Sequence, residues 1–164
     1  SPEGKVLGID FADETLAIAR KRHLKDPYLP ISWLKLDANN TELDSKTFDG
    51  VVMAYGLRNL KCHRKGLIEI YRLLKPGGKA LILDFNHMDE NTFGDWFQKF
   101  YLRKIVVPIS SKFGLREEYL YIEESLRRFP KGLELEKNAI DVGFLKASYK
   151  SIAAGQMGFL YLQA

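Results

Sequence analysis

The stretch Phe48-Asp49-Gly50-Val51-Val52-Met53-Ala54-Tyr55-Gly56-Leu57-Arg58-Asn59 decides how the chain is read, because an apolar strand passes into polar side chains with almost no linker. Val51, Val52 and Met53 form the short apolar run of a strand covered on both faces, as in parallel sheets. Gly56 lets the chain turn. In an open α/β sheet ligands sit outside the carboxyl ends of the strands, which puts Tyr55, Arg58 and Asn59 at the rim of a site. Taken alone, the stretch is an ordinary strand-to-helix loop.

The sequence on either side repeats the alternation. Downstream, His63 to Leu74 carries Leu67, Ile70, Tyr71 and Leu74 at helical spacing, and Lys75-Pro76-Gly77-Gly78 stops that helix. Lys79 to Phe85 is the next strand and ends in Asp84-Phe85-Asn86. Upstream, Lys5 to Asp10 reads as a buried strand ending in an acid. Asp13 to Arg22 reads as a helix with Asp13 as N-cap, and its charges match the helix dipole. Ile31 to Leu36 is a strand that delivers Asp37 and Ala38 to its carboxyl end, and Asn39 to Thr47 is a polar loop. Strand, helix, strand, loop, strand, helix, strand predicts a doubly wound parallel α/β sheet with right-handed crossovers. The second half changes character: helices with aromatic faces over Asn91–Ile105 and Leu115–Phe129, and a third over Leu133–Val142 stopping at Gly143. Two strands, Phe144–Ser151 and Gln156–Leu162, then form an antiparallel hairpin. With no internal repeat and no low-complexity linker, residues 1–164 are expected to be a single domain.

The composition is that of an ordinary globular chain: 164 residues, 46% hydrophobic and 28% charged, are enough for one substantial core. The single cysteine, Cys62, excludes an internal disulfide, and the 3 histidines have no metal-ligand spacing. No metal site is expected. A net charge of +4 is spread over dispersed basic residues, which argues against nucleic acid as a partner. No apolar run reaches the ~20 residues of a bilayer span, so the expected location is cytoplasmic or peripheral at the inner face of a membrane, organellar in a eukaryote. The opening Ser1-Pro2-Glu3-Gly4 leads at once into a strand, as if a domain were entered part-way.

An acid ending a strand of a nucleotide-type sheet, here Asp10, suits a ribose diol because its two oxygens can meet two adjacent hydroxyls; the alternative is a helix-capping Asp. Phe11 beside it could cover an adenine ring. Asp37 with Ala38 could reach the adenine amino group. Successive strands ending in Asp10, Asp37 and Tyr55 suggest a nucleoside-like ligand.

Tyr55-Gly56-Leu57-Arg58-Asn59, Glu69-Ile70-Tyr71-Arg72-Leu73-Leu74-Lys75-Pro76-Gly77-Gly78 and Asp84-Phe85-Asn86 resemble the S-adenosylmethionine-dependent C-methyltransferases of ubiquinone and menaquinone biosynthesis. The Leu-Lys-Pro-Gly-Gly turn is shared by many class I methyltransferases, whereas Tyr-Gly-Leu-Arg-Asn is much narrower. The resemblance continues through Tyr101–Pro108, Phe113-Gly114-Leu115, Glu117-Glu118-Tyr119, Phe129-Pro130 and the last hairpin with Gly155, Met157 and Gly158, where it leans towards the naphthoquinone branch. It implies a Rossmann-like three-layer sandwich, mostly parallel with an antiparallel C-terminal hairpin. It also implies a first, central strand and a Gly-rich cofactor loop ahead of Ser1, so the domain is expected to be N-terminally incomplete and inactive as this piece alone.

The resemblance further implies C-methylation of a prenylated quinol ring with S-adenosylmethionine and no metal. Asp10, Phe11, Asp37, Ala38 and Ala54 would bind the cofactor, while Arg58, Asn59, Tyr55 and Asp84 would be catalytic. Arg58 would stabilise a phenolate or orient a water, and Asp84, or else His87, would be the base; Asn86 is a further rim residue. The aromatic face from Phe93 to Tyr101 would hold the isoprenoid tail or rest on a membrane surface, and a homodimer or larger biosynthetic complex is the expected assembly. The rival reading is an inactive methyltransferase-like subunit that binds a quinone or acts as a scaffold.

Overall fold

The computed structural model describes residues 4–86 and 124–164. They fall into two compact units, one within Ser1–Leu43 and the other within Asp44–Ala164. The aromatic helix expected at Asn91–Ile105, most of the one at Leu115–Phe129, and His87 lie outside the described residues.

In the first unit β1 (Val6–Asp10) pairs in parallel with β2 (Ile31–Lys35), from Val6 opposite Ile31 to Asp10 opposite Lys35. The crossover is α1 (Asp13–His23), with Asp13 and Glu14 in its first turn and Arg20, Lys21, Arg22 and His23 in its last. That distribution opposes each end of the helix dipole with the matching charge. Leu16 is its buried anchor. Two expectations change here. The N-cap is Ala12, and Asp13 is instead the first helical residue, ion-paired with Lys35. β1 is not a buried strand, because Val6 is exposed and β2 is its only strand neighbour among the described residues.

The second unit is a four-stranded sheet in the order β3 (Phe48–Ala54), β4 (Leu74–Phe85), β6 (Met157–Gln163), β5 (Lys146–Ile152). β3 and β4 run parallel, joined by α2 (His63–Leu73); β6 enters antiparallel between β4 and β5. Ala153–Gly155 forms the short connection that makes β5 and β6 a hairpin. The α/β class, the parallel crossovers and the antiparallel C-terminal hairpin are therefore as expected. α2 turns Leu67 and Ile70 inward against Ala80 and Ile82 of β4 and Leu160 and Leu162 of β6. α3 (Gly132–Val142) adds Leu135 and Ala139 to the same core and ends at Gly143, whose φ of 124° is open to glycine and strained for other residues. Each fully buried leucine contributes roughly 1.5–3 kcal/mol.

β3 departs from the expected strand covered on both faces. Val51 and Met53 pack on the core, but Val52, pointing to the other side of the pleat, is 80% exposed. β3 is an edge among the described residues. The Lys75-Pro76-Gly77-Gly78 segment also differs: it falls inside the irregular start of β4, where Phe48 pairs with Leu74 before a register shift, and regular pairing resumes at Gly50 opposite Lys79.

The hairpin packs closely around one ring. A Cβ placed on Gly158 would come 1.9 Å from the Tyr149 hydroxyl oxygen, and one on Gly132 would come 2.1 Å from Cδ1 of the same ring. Gly158→Ala is expected to lower stability by about 1–3 kcal/mol through overpacking, with Gly158→Ala/Tyr149→Ser recovering part of the loss; urea unfolding of the four proteins checks both.

Candidate functional site

The site of the second unit begins where β3 ends. Tyr55 N–H still donates to Leu83 O at 2.8 Å, so the ladder with β4 holds to the last residue. The chain then breaks sharply: Tyr55 has φ of 57°, the left-handed region, which is strained for a bulky residue by about 1–3 kcal/mol. Gly56, which could adopt that conformation freely, has φ of −105° instead. A short 3-10 turn, Leu57–Asn59, then carries Leu57 into the core and Arg58 beneath the turn.

Arg58 is 8% exposed and Asp84, at the end of β4, is 3% exposed. Arg58 Nη1 donates to Asp84 Oδ1 at 3.2 Å, and the Arg58 backbone N–H donates to Oδ2 at 3.0 Å. Phe85 N–H adds a third bond to Oδ1 at 2.9 Å. Burial pushes the Asp84 carboxyl above the usual carboxylate range, while the Arg58 backbone N–H, its charge and the Phe85 N–H pull in the other direction. Arg58 Nη1 also donates to Tyr55 O at 2.9 Å, and Asn59 Nδ2 donates to the same oxygen at 3.0 Å. The strained residue is thereby clamped by its own carbonyl. The Phe85 ring covers the guanidinium at 5.1 Å and meets the Tyr55 ring at 5.2 Å and 42°. Tyr55 stays 40% exposed, and its hydroxyl donates to Met157 Sδ at 3.3 Å.

A second set of bonds ties this turn to the hairpin. Tyr149 Oη donates to Asn86 Oδ1 at 2.7 Å, Asn86 Nδ2 donates to Gly155 O at 3.0 Å, and Asn86 N–H donates to Gln156 O at 3.0 Å. Burial, with the Asp84 charge as a smaller contribution, pushes the Tyr149 phenol up to about 12. Between the two networks lies a small cavity lined by Leu57, Asp84, Phe85, Phe129, Tyr149 and Gly158, with room for roughly one water.

Of the acceptor-side residues named from the sequence, Tyr55, Arg58, Asn59 and Asp84 come together as one hydrogen-bonded cluster. Asn86 sits beside it as a fastening to the hairpin. Ala54 is the last residue of β3 and is exposed. Tyr149 was missed, because nothing in its local sequence separates it from an ordinary inward strand residue; the glycines that would make room for it, Gly132 and Gly158, are its faint signal.

The first unit carries the other named residues. Asp10 and Lys35, paired at the ends of β1 and β2, put Phe11 and Asp37 at the same end of that two-stranded sheet. Asp10 Oδ1 accepts from Ala12 N–H at 2.8 Å, which orients the carboxylate at the entry to α1. Phe11 is 71% exposed, with Lys35 Nζ 6.0 Å from its ring centroid. Asp37 Oδ1 accepts from Asn39 N–H at 2.8 Å, closing a turn that contains Ala38. The carboxylates of Asp10 and Asp37 are thus each held by a backbone N–H, and Phe11 stands exposed next to Asp10.

Two outcomes follow from these networks. Arg58→Met strands a buried carboxylate and is expected to lose about 3–5 kcal/mol of stability, while Arg58→Met/Asp84→Leu recovers most of it; denaturant unfolding reads both. In the pH range from about 10 to 12, an unfolded tyrosine loses its proton while folded Tyr149 keeps it, so stability falls as pH rises through that window. Tyr149→Phe is expected to flatten that part of the stability profile.

Residues 1–160 match the ubiE/COQ5 methyltransferase family. The chain is 46% identical over 158 residues to the 2-phytyl-1,4-naphtoquinone methyltransferase of Synechocystis sp., covering 96% of this chain and 66% of that protein. It is 38% identical over 160 residues to the chloroplastic 2-phytyl-1,4-beta-naphthoquinone methyltransferase of Arabidopsis thaliana, covering 96% of this chain and 61% of that one. The chain thus spans a little under two thirds of the length of these relatives. In fold it is similar to the crystal structure of a SAM dependent methyltransferase from Aquifex aeolicus, with a TM-score of 0.66 at 18% identity over 98% of this chain and 69% of that one. The match to residues 1–160, with the Tyr55–Asn59 turn and the Asp84-Phe85-Asn86 strand end inside it, places this chain in the ubiE/COQ5 methyltransferase family.

Proposed function

We propose that the protein methylates a ring carbon of a prenylated naphthoquinol, of the 2-phytyl-1,4-naphthoquinol type, using S-adenosylmethionine. The observation that carries this reading is the polar cluster of Tyr55, Arg58, Asn59 and Asp84 at the strand exit, in a chain 46% identical to a naphthoquinone methyltransferase. When bound, S-adenosylmethionine supplies an electrophilic methyl group on a sulfonium. Asp10, Phe11, Asp37 and Ala38 of the first unit would hold its nucleoside part.

The acceptor is the reduced ring, because a quinol carbon becomes nucleophilic only when a ring hydroxyl gives up its proton. The turn at Tyr55–Asn59 would orient that ring, and orientation alone can supply several kcal/mol of the barrier reduction. Asp84 is the proposed proton acceptor, reached through a water in the cavity beside it. Burial raises its pKa, which brings a carboxylate closer to the range where a base works best near neutral pH. The Arg58 guanidinium offers donors and no acceptor, so it is not the proposed base; its charge and backbone N–H oppose the effect of burial on the Asp84 carboxyl. The apolar tail of the substrate makes contact with a membrane surface a natural mode of delivery, and among the described residues no helix is long and apolar enough to cross a membrane.

The test uses the intact protein with S-adenosylmethionine and two acceptors, a demethylated phytyl naphthoquinol and a demethylated prenyl benzoquinol. Mass spectrometry is expected to show methyl gain on the naphthoquinol, at least ~10-fold faster than on the benzoquinol, a discrimination of about 1.4 kcal/mol. Methyl gain on neither, with S-adenosylhomocysteine binding retained, overturns the reading. The rate should rise with pH through an acid limb above the ordinary carboxyl range near 4, since Asp84 must be ionised to accept a proton, and Asp84→Asn should cost about 10²–10⁴-fold.

A further inference from the structure

We infer that the Tyr55 ring is the surface on which the acceptor ring lies, and that Arg58 and Asn59 are positioning residues that act through Tyr55 and do not touch the substrate. This deepens the quinol reading and rests on it.

Three independent features meet at this residue. The backbone is left-handed at Tyr55 and not at Gly56, so the fold keeps a large aromatic side chain at the one position of the turn where glycine would be unstrained. A chain needing only the turn could place the glycine one residue earlier. Functional sites are where such strain is retained. Second, the Tyr55 carbonyl accepts from both Arg58 Nη1 and Asn59 Nδ2, at 2.9 and 3.0 Å. These are the two polar side chains of the turn, and both point back at the residue that begins it. Third, the guanidinium offers little surface to a ligand. Asp84 holds one side of it, Phe85 covers its face, and the residue is 8% exposed against 40% for Tyr55.

What the turn presents outward is therefore an aromatic face. The Tyr55 ring leans on Phe85 along one side, and its hydroxyl is tethered to a thioether, a weak acceptor that fixes the ring's tilt without burying it. An exposed, tilted, backed ring suits a flat naphthoquinol, since aromatic pairs favour offset stacking with centroids 4.5–7 Å apart. A bicyclic acceptor gains more from such a surface than a monocyclic one, which ties the ring preference proposed above to a residue.

The inference separates sharply from a direct role for Arg58 or Asn59 by a double-mutant cycle in the intact protein, read as kcat and KM for the demethylated phytyl naphthoquinol. Asn59→Ala is the chosen partner because Asn59 is exposed and its loss leaves no buried charge, unlike loss of Arg58. Tyr55→Leu keeps an apolar side chain at the same backbone angle but removes the ring, and should lower kcat/KM about 10- to 100-fold. Tyr55→Phe restores the ring and should return activity to within about 3-fold of the unaltered protein. Asn59→Ala should lose about 10-fold alone and add less than about 2-fold on top of Tyr55→Leu, because residues acting through one another are not additive. S-adenosylhomocysteine affinity and thermal stability, measured on each variant, report whether the fold is intact. Losses that multiply in the double variant, or a Tyr55→Leu protein of unaltered kcat/KM, overturn the inference while leaving the quinol reading standing. An unaltered protein that transfers no methyl group to the naphthoquinol overturns both.

Discussion

The buried pair of Arg58 and Asp84 is the contact on which the second unit's site depends. Asp84 lies one residue before the end of β4 and Arg58 follows β3, so the pair closes the carboxyl end of the parallel strand pair in the way backbone bonds close its interior. A carboxylate so deep in the fold is costly unless its oxygens are filled, and both are: Oδ2 by the Arg58 backbone, Oδ1 by the Arg58 side chain and the Phe85 amide. Because one residue supplies both a backbone and a side-chain donor, the 3-10 turn cannot shift along β4 without exposing the charge.

That constraint passes outward to Tyr55. A left-handed aromatic residue persists only where its surroundings over-determine it. Here the ladder bond to Leu83 fixes its nitrogen, Arg58 and Asn59 fix its oxygen, and Phe85 and Met157 fix its ring. The order of dependence runs from the buried charge to the turn, from the turn to the backbone angle, and from that angle to the side chain left exposed at the strand exit. The hairpin enters as a brace: Asn86 and Tyr149 hold the end of β4 to the connection between β5 and β6, with the small cavity between brace and buried pair.

Much of the fold was legible because hydrophobic period and punctuation carry it. α2 was legible from apolar residues at helical spacing, and Gly143 stops α3 at the expected place with a conformation that glycine favours. Errors fell where period alone cannot see neighbours. Val51-Val52-Met53 is an apolar run, and its reading as a strand covered on both faces failed at Val52, since coverage is a property of what packs against a strand and not of the strand. Asp13 had the composition of an N-cap, yet the dihedral angles put Ala12 there, because Asp10 takes the Ala12 amide and sets the helix entry one residue earlier.

By itself the sequence determined the α/β alternation, the strand-exit position of Tyr55, Arg58, Asn59 and Asp84, and the likeness to a methyltransferase family, since these rest on local pattern and on residue identity in a short stretch. Only the tertiary structure decided which way those side chains face. Arg58 turns inward because Asp84, 26 residues later, lies near the end of the adjacent parallel strand and must be satisfied there. Tyr55 turns outward because its carbonyl is held inward. Tyr149 joins the site because β6 inserts antiparallel beside β4 and carries β5 with it, bringing its hydroxyl to Asn86, 63 residues away in the chain. Partners so far apart leave no local trace, because the free energy that selects them belongs to burial and hydrogen-bond closure, which exist only once the strands have packed.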